Sequence, residues 1–207
     1  VLLAIGFVVL VAWYLTFSAT RLDRLHARVE GARSALDAQL VRRASVTLQL
    51  AASGRLDPAT SLLLADAAHE AREADTDGAA VDGAALDGAA VDGTAVDAVT
   101  REQAESDLTG ALRAAFADRG LVEDLRADPL GRELLAELAA AGLRVQLARR
   151  FHNDVVRSAR VVRRKRVVRY LRLAGHAPWP QTVEISDTPP ETLAAGAVTS
   201  DAYRRST

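Results

Sequence analysis

The sequence predicts an all-α protein: an N-terminal transmembrane helix followed by an antiparallel helical bundle of about four helices. Three observations carry that expectation. Val1 to Thr20, "VLLAIGFVVLVAWYLTFSAT", holds no charged side chain. Apolar residues then recur at three- and four-residue spacing through most of the chain. No segment alternates convincingly with period two, apart from a short "QTVEIS" near the C-terminal end. With aromatic residues at only 4 %, a large globular core lacks material, whereas alanine and leucine at helical spacing suit a slim bundle. Cysteine is absent, which excludes disulfides and thiolate metal sites. The formal net charge of −1 selects no class of partner by itself.

The elements follow in order. A helix over residues 1–20 spans about 30 Å at 1.5 Å per residue, the thickness of the hydrocarbon core. Trp13 and Tyr14 lie towards its far end, where amphipathic rings favour headgroups, and Arg21, Arg24 and Arg28 follow. That order predicts a single-pass anchor with the downstream domain in the cytoplasm. A cleaved signal peptide is the rival, but no good small-x-small site precedes Arg21. The periodicity continues through Leu22, Leu25, Val29, Ala32, Leu36, Leu40 and Ala44, and Ser53-Gly54 ends the helix. Asp57 caps a second helix with Pro58 at its first position, running to about Ala74. A third covers Arg101 to Arg119, with Leu108, Leu112 and Phe116 inward and Gly120 closing it. A short turn fills Leu121 to Ala127. Pro129 opens a last helix, roughly Leu130 to Leu173, with the stripe Leu134, Leu138, Ala141, Val145, Ala148, Phe151, Val155, Ala159 and Val162. The bundle thus spans residues 21–173, and residues 174–207, rich in proline and polar side chains, read as an extended, then disordered tail. Within it "LAGHAPWPQTVEI" has the apolar residues to fold back through Trp179.

Between the second and third helices lies "DGAAVDGAALDGAAVDGTAVD", Asp77 to Asp97. As a calcium loop it fails, because Leu86 stands where the terminal glutamate belongs. As a pentapeptide β-helix it offers one coil at best, and stacked folds need several. Glycine at every fifth position and small side chains predict a flexible tether over 75–100.

Two stretches carry a resemblance. "LDAQLVRR", Leu36 to Arg43, and "ARRFHNDVV", Ala148 to Val156, resemble the two signatures of the LemA family. The matching positions are Asp37, Gln39, Leu40, Arg42 and Arg43, then Arg150, Phe151, Asn153 and Val156. His152 stands where a tyrosine is common, as in a divergent, actinobacterial-type branch. The resemblance implies a membrane-anchored helical bundle whose biochemical role is largely undefined, a scaffold or binding module. The partner would be a protein or a second copy of the chain, and no cofactor is implied.

Enzyme readings fare worse. "REQAESD", Arg101 to Asp107, resembles part of a Nudix box, but Gly93, Gln103 and Ser106 stand where the pattern needs Glu, an aliphatic residue and Glu. Without clustered carboxylates Mg²⁺ is not held. A Nudix-like hydrolase therefore remains only as the alternative. "HEARE" lacks the second histidine of a zinc protease, since Glu73 replaces it, and His26, His69, His152 and His176 are scattered. No metal ligands are assigned.

The strongest electrostatic feature is the tract Arg149 to Arg172, in which Asp154 is the one acid. With helices alternately leaving and returning to the membrane, Arg163, Arg164, Lys165, Arg166, Arg169 and Arg172 should lie beside anionic headgroups. Nucleic acid is a weaker candidate, because Tyr170 is the lone aromatic there and no reading fold accompanies it. The same geometry puts Asp37 about 25 Å above the membrane and Asn153 and Arg157 about 28 and 22 Å above it. A polar seam of Asp37, Gln39, Arg42, Arg43, Arg150, Asn153 and Arg157 is therefore expected to be the binding surface. In it, Asn153, Arg150 or Arg157 would serve as the donor to Asp37 and the seam would fix helix register; the alternative leaves Asp37 in solvent, paired only within its helix to Arg33 or Arg42.

Overall fold

A computed structural model describes residues 2–85, 93–163 and 180–193. Within its helices the side chains of 2–4, 7–12, 14–19, 21–23, 75–85, 93–98 and 163 lie outside that description. Five helices follow one another: α1 (Leu2–Ala52), α2 (Pro58–Ala85), α3 (Gly93–Ala115), α4 (Arg119–Ala127) and α5 (Pro129–Arg163). The described residues hold no strand, so the all-α bundle is as expected. Among the described residues no helix is long and apolar enough to cross a membrane. The expected anchor falls on Val1–Thr20, most of whose side chains are not described.

The chain divides into two units. The first comprises residues 1–36 and 149–183, and the second residues 37–148 and 184–207. The core of the second unit draws on every helix. Val46 and Leu50 come from α1, Leu64 and Ala68 from α2, Leu108 and Leu112 from α3, Val122 and Leu125 from α4, and Leu134 and Leu138 from α5. Alanines 67, 68 and 71 on α2 are buried, a small-residue face that lets α2 pack closely on α3. In the first unit Ala32, Leu36, Val155, Val156 and Ala159 are buried.

Local chemistry sets the helix ends. Gly54 has φ 69°, the left-handed conformation that stops α1. Asp57 Oδ1 accepts from the amides of Ala59 and Thr60, both at 3.0 Å, ahead of Pro58. The Thr60 hydroxyl and these amides hold the Asp57 carboxyl below the usual carboxylate range. The same Asp-Pro device opens α5, where Gly131 donates to Asp128 Oδ2 at 2.8 Å. Gly120 does not close the third helix. It lies in the first turn of α4, donating to the N-cap Asp118, while α3 already ends at Ala115.

Two further expectations change. Helix α2 continues past Ala74 to Ala85, and α3 starts at Gly93 rather than Arg101, so much of the tether region is helical. Alanine, the best helix former, occupies much of each repeat and outweighs the glycine penalty of about 1 kcal/mol per site. Residues 86–92 lie outside the described residues. In α5, Phe151 is half exposed at 52 %, while His152 and Asn153 are buried. Leu138, Val145, His152 and Ala159 recur every seven residues on the buried face, and Phe151 stands one position off it.

The α4–α5 corner needs a glycine. A Cβ on Gly131 would lie 2.4 Å from the backbone oxygen of Leu125, whereas one on Gly110 in α3 would meet nothing within 4 Å. Gly131→Ala should therefore destabilise by about 1–3 kcal/mol, and Gly110→Ala should stabilise by about 0.5–1 kcal/mol. Urea unfolding followed by circular dichroism reads both signs.

Candidate functional site

The first motif staples helices together. On α1, Asp37, Arg42 and Arg43 each reach another helix of the second unit. Asp37 Oδ1 accepts from Arg101 Nη2 at 2.7 Å. Arg42 pairs with Glu137 of α5. Arg43 pairs with Glu105 and also donates to the Glu105 carbonyl and to Thr109 Oγ1, both at 3.0 Å. The Arg43 and Glu105 side chains are 4 % and 2 % exposed, so water screens their attraction very little.

These bonds form a ladder of alternating charge. Arg101, Glu105 and Thr109 lie four residues apart on one face of α3. Going up α1 from Asp37 to Arg43, about 9 Å, the partners on α3 rise from Arg101 to Glu105 and Thr109, about 6–12 Å. The two helices therefore run parallel. A slip of one turn would set Arg43 against Arg101, or Asp37 against Glu105, and either contact is repulsive. Gln39 is half buried beside this ladder, and its Oε1 has no hydrogen-bond partner among the described residues.

The second motif does something else. In the first unit, residues 180–183 lie on α5 as a strap, and α5 holds them by their main chain. The Asn153 amide donates to Val183 O at 3.0 Å, while its Oδ1 accepts from Val183 N at 2.9 Å. His152 Nε2 lies 3.3 Å from Gln181 O, and Arg160 Nε donates to Pro180 O at 2.8 Å. Between Arg160 and Asn153 the helix descends about 10 Å while the strap advances from Pro180 to Val183, about 3.5 Å per residue. That is the rise of extended chain.

The second unit captures the continuing segment the same way. Ser106 Oγ accepts from Ser186 N at 3.1 Å, and Gln146 donates to Asp187 O at 2.7 Å. Arg126 donates to Thr192 O at 2.7 Å, and Thr192 returns a bond to Phe116 O at 2.8 Å. Ile185, Pro190 and Leu193 are buried. Asp187, Pro190 and Leu193 line a small pocket together with Arg43, Thr109 and Leu138. Glu102 accepts from the Glu184 amide, yet its carboxyl is pushed above the usual range, by burial first and also by the Glu184 charge.

The residues of the expected seam have these partners within their own units. Within the second unit Asp37 accepts from Arg101 on α3. Asn153 is bonded to Val183, Arg157 pairs with Asp154 at 2.8 Å, and Arg150 is exposed. Of the tail expected over 174–207, residues 180–193 are described, and they fold back through main-chain bonds and the buried Ile185. Trp179 lies outside the described residues. So do Arg164, Lys165, Arg166, Arg169 and Arg172, together with the side chain of Arg163. Among the described residues no group of His, Asp and Glu could hold a metal ion. Comparison of the chain with protein-family models, with curated proteins and with solved structures finds no match.

Two outcomes follow from this geometry. Glu105→Ala strands a buried guanidinium and should destabilise by about 3–5 kcal/mol, whereas Arg43→Met with Glu105→Leu should be neutral or stabilising. Urea midpoints separate them, and equal losses for the single and double variants would contradict the buried pair. For Glu102, a raised folded value means its neutral form is favoured in the fold. The stability it contributes is present below its ordinary value of 4.5 and is lost as pH rises through the raised one. Glu102→Gln should therefore raise Tm near neutral pH, and the gain should vanish towards about pH 4.

Proposed function

We propose that the chain is a LemA-type helical-bundle binding module, or scaffold, held at the cytoplasmic face of the membrane by residues 1–20. The observation that carries the reading is the continuity of α1, one helix from Leu2 to Ala52. Its uncharged N-terminal stretch passes straight into the residues that staple the bundle. Arg21, Arg24 and Arg28 supply the positive-inside signal, and the basic residues from Arg163 to Arg172 supply an attraction for anionic headgroups of about 1 kcal/mol each.

The chemistry of the two motifs supports binding over catalysis. Asp37, Arg42 and Arg43 hold helices, and His152 and Asn153 hold main chain. Glu105, which the Nudix-like alternative needs as a Mg²⁺ ligand, is buried on the Arg43 guanidinium. A carboxylate committed to that bond does not offer its oxygens to a cation.

A reporter fused after Thr207 should behave as cytoplasmic, with the chain in the membrane fraction and resistant to carbonate extraction. Export of the reporter, or Mg²⁺-dependent hydrolysis of nucleoside diphosphate derivatives that Glu105→Gln abolishes, would overturn the reading.

A further inference from the structure

The Arg43 guanidinium in the second unit is buried, with the residue only 3 % exposed, and its donors are unevenly satisfied. Nη1 donates to Thr109 Oγ1, and Nη2 donates to the carbonyl and the carboxylate of Glu105. The Nε–H has no hydrogen-bond partner among the described residues. An unpaired buried donor is costly, most of all on a charged group. Arg43 also borders a pocket of about 20 Å³ that lies wholly within the second unit. Its walls are mostly apolar, formed by Leu112, Leu138, Pro189, Pro190 and Leu193. Three polar residues interrupt them: Arg43 from α1, Thr109 from α3 and Asp187 from the C-terminal segment. Gly142 of α5 borders the same pocket, and a Cβ there would meet nothing within 4 Å, so the glycine leaves that side open.

From this we infer that the pocket is a binding site for one internal water molecule, which accepts a hydrogen bond from Arg43 Nε. Size selects the ligand. A water needs about 10–15 Å³ on this measure, and the pocket offers little more. Bonding capacity agrees. Thr109 Oγ1 uses its proton on the Glu105 carbonyl, at 3.0 Å, and accepts once from Arg43 Nη1, which leaves it one lone pair. Asp187 supplies further acceptor oxygens. The water therefore accepts once and donates twice, to Thr109 Oγ1 and to an oxygen of Asp187. Three bonds are what a buried water typically makes. Charge excludes ions. Glu105 already neutralises Arg43, and Asp187 adds a negative charge at the wall, so an anion is repelled, while a cation would face the guanidinium. Pro190 and Leu193, both buried, cover the pocket from the C-terminal segment. The water thus joins α1, α3 and that segment at the level of the buried ion pair, and docking of residues 187–193 completes the satisfaction of Arg43.

The site is independent of the proposed membrane and binding roles, and its test uses the unaltered full chain in detergent micelles. The Arg43 Nε proton is assigned in a nitrogen-15 spectrum by its loss in the chain carrying Arg43→Met and Glu105→Leu. In a rotating-frame experiment it should give a cross-peak at the water frequency with the sign of dipolar contact, opposite to that of exchange. A crystal of the chain grown in bromide should show a single peak about 2.7–3.2 Å from Arg43 Nε, without anomalous signal. Absence of the cross-peak would mean a dry pocket and would overturn the site. A cross-peak with the sign of exchange would do the same, because bulk solvent would then be reaching Nε by opening of the fold. An anomalous bromide peak in the pocket would make the ligand an anion and overturn the assignment to water.

Discussion

Burying Arg43 and Glu105 against each other imposes a demand that the rest of the second unit has to meet. Taken out of water singly, either charge would be costly, and their mutual attraction repays that cost only with good geometry and the remaining polar atoms satisfied. Thr109 and the Glu105 carbonyl take up further guanidinium donors, leaving Arg43 Nε without a partner among the described residues, so α1 and α3 fit in one register. Asp37 with Arg101 extends the demand along the interface with the charges reversed. Alanine and leucine faces alone would leave the helices free to slide, because one apolar turn resembles the next. The ladder removes that freedom, since each one-turn slip meets a like charge. Arg42 with Glu137 then ties α5 to the same stretch of α1.

With the second unit so fixed, Glu102 and Ser106 on α3 and Gln146 on α5 stand ready to receive the segment after Val183. Within the first unit Asn153, His152 and Arg160 receive the segment up to it. The two motifs thus divide the labour. "LDAQLVRR" supplies the frame, and His152 and Asn153 of "RFHND" are buried and bond the main chain of an extended segment.

Much of the frame was legible in the sequence. The 3.6-residue period located the helices, Asp-Pro located two of their starts, and glycine located the end of α1. Boundaries failed where one local rule was weighed without its competitor. The glycines of the repeat argue against helix while its alanines argue for it, and Gly120 looks like a stop although Asp118 offers an N-cap. The residues of the site were legible and their partners were not. Arg101, Glu105 and Thr109 stand at i, i+4 and i+8, a helical face visible in the sequence, but their partners on α1 are set by packing. His152 and Asn153 looked less apolar than Phe151, so periodicity alone assigned the wrong neighbour to the core. The signal that corrects it is the seven-residue recurrence from Leu138 to Ala159. The main-chain capture by Asn153, by contrast, left no mark in the strap's sequence, because backbone recognition imposes almost none.

The central claim is that charge order, rather than apolar packing, fixes the register of α1 on α3, and an interhelical distance distribution tests it most directly. The chain has no cysteine, so Ala38→Cys and Ala114→Cys, at two exposed positions, would carry the only spin labels. With Arg43 and Glu105 in place, the distribution should be single and narrow. With Arg43→Met and Glu105→Leu, the fold should remain helical while the distribution gains a second component, displaced by several ångströms, as one helical turn of about 5.4 Å allows. An unchanged narrow distribution in the neutral pair would mean that the apolar faces set the register, and that the buried charges merely fit within it.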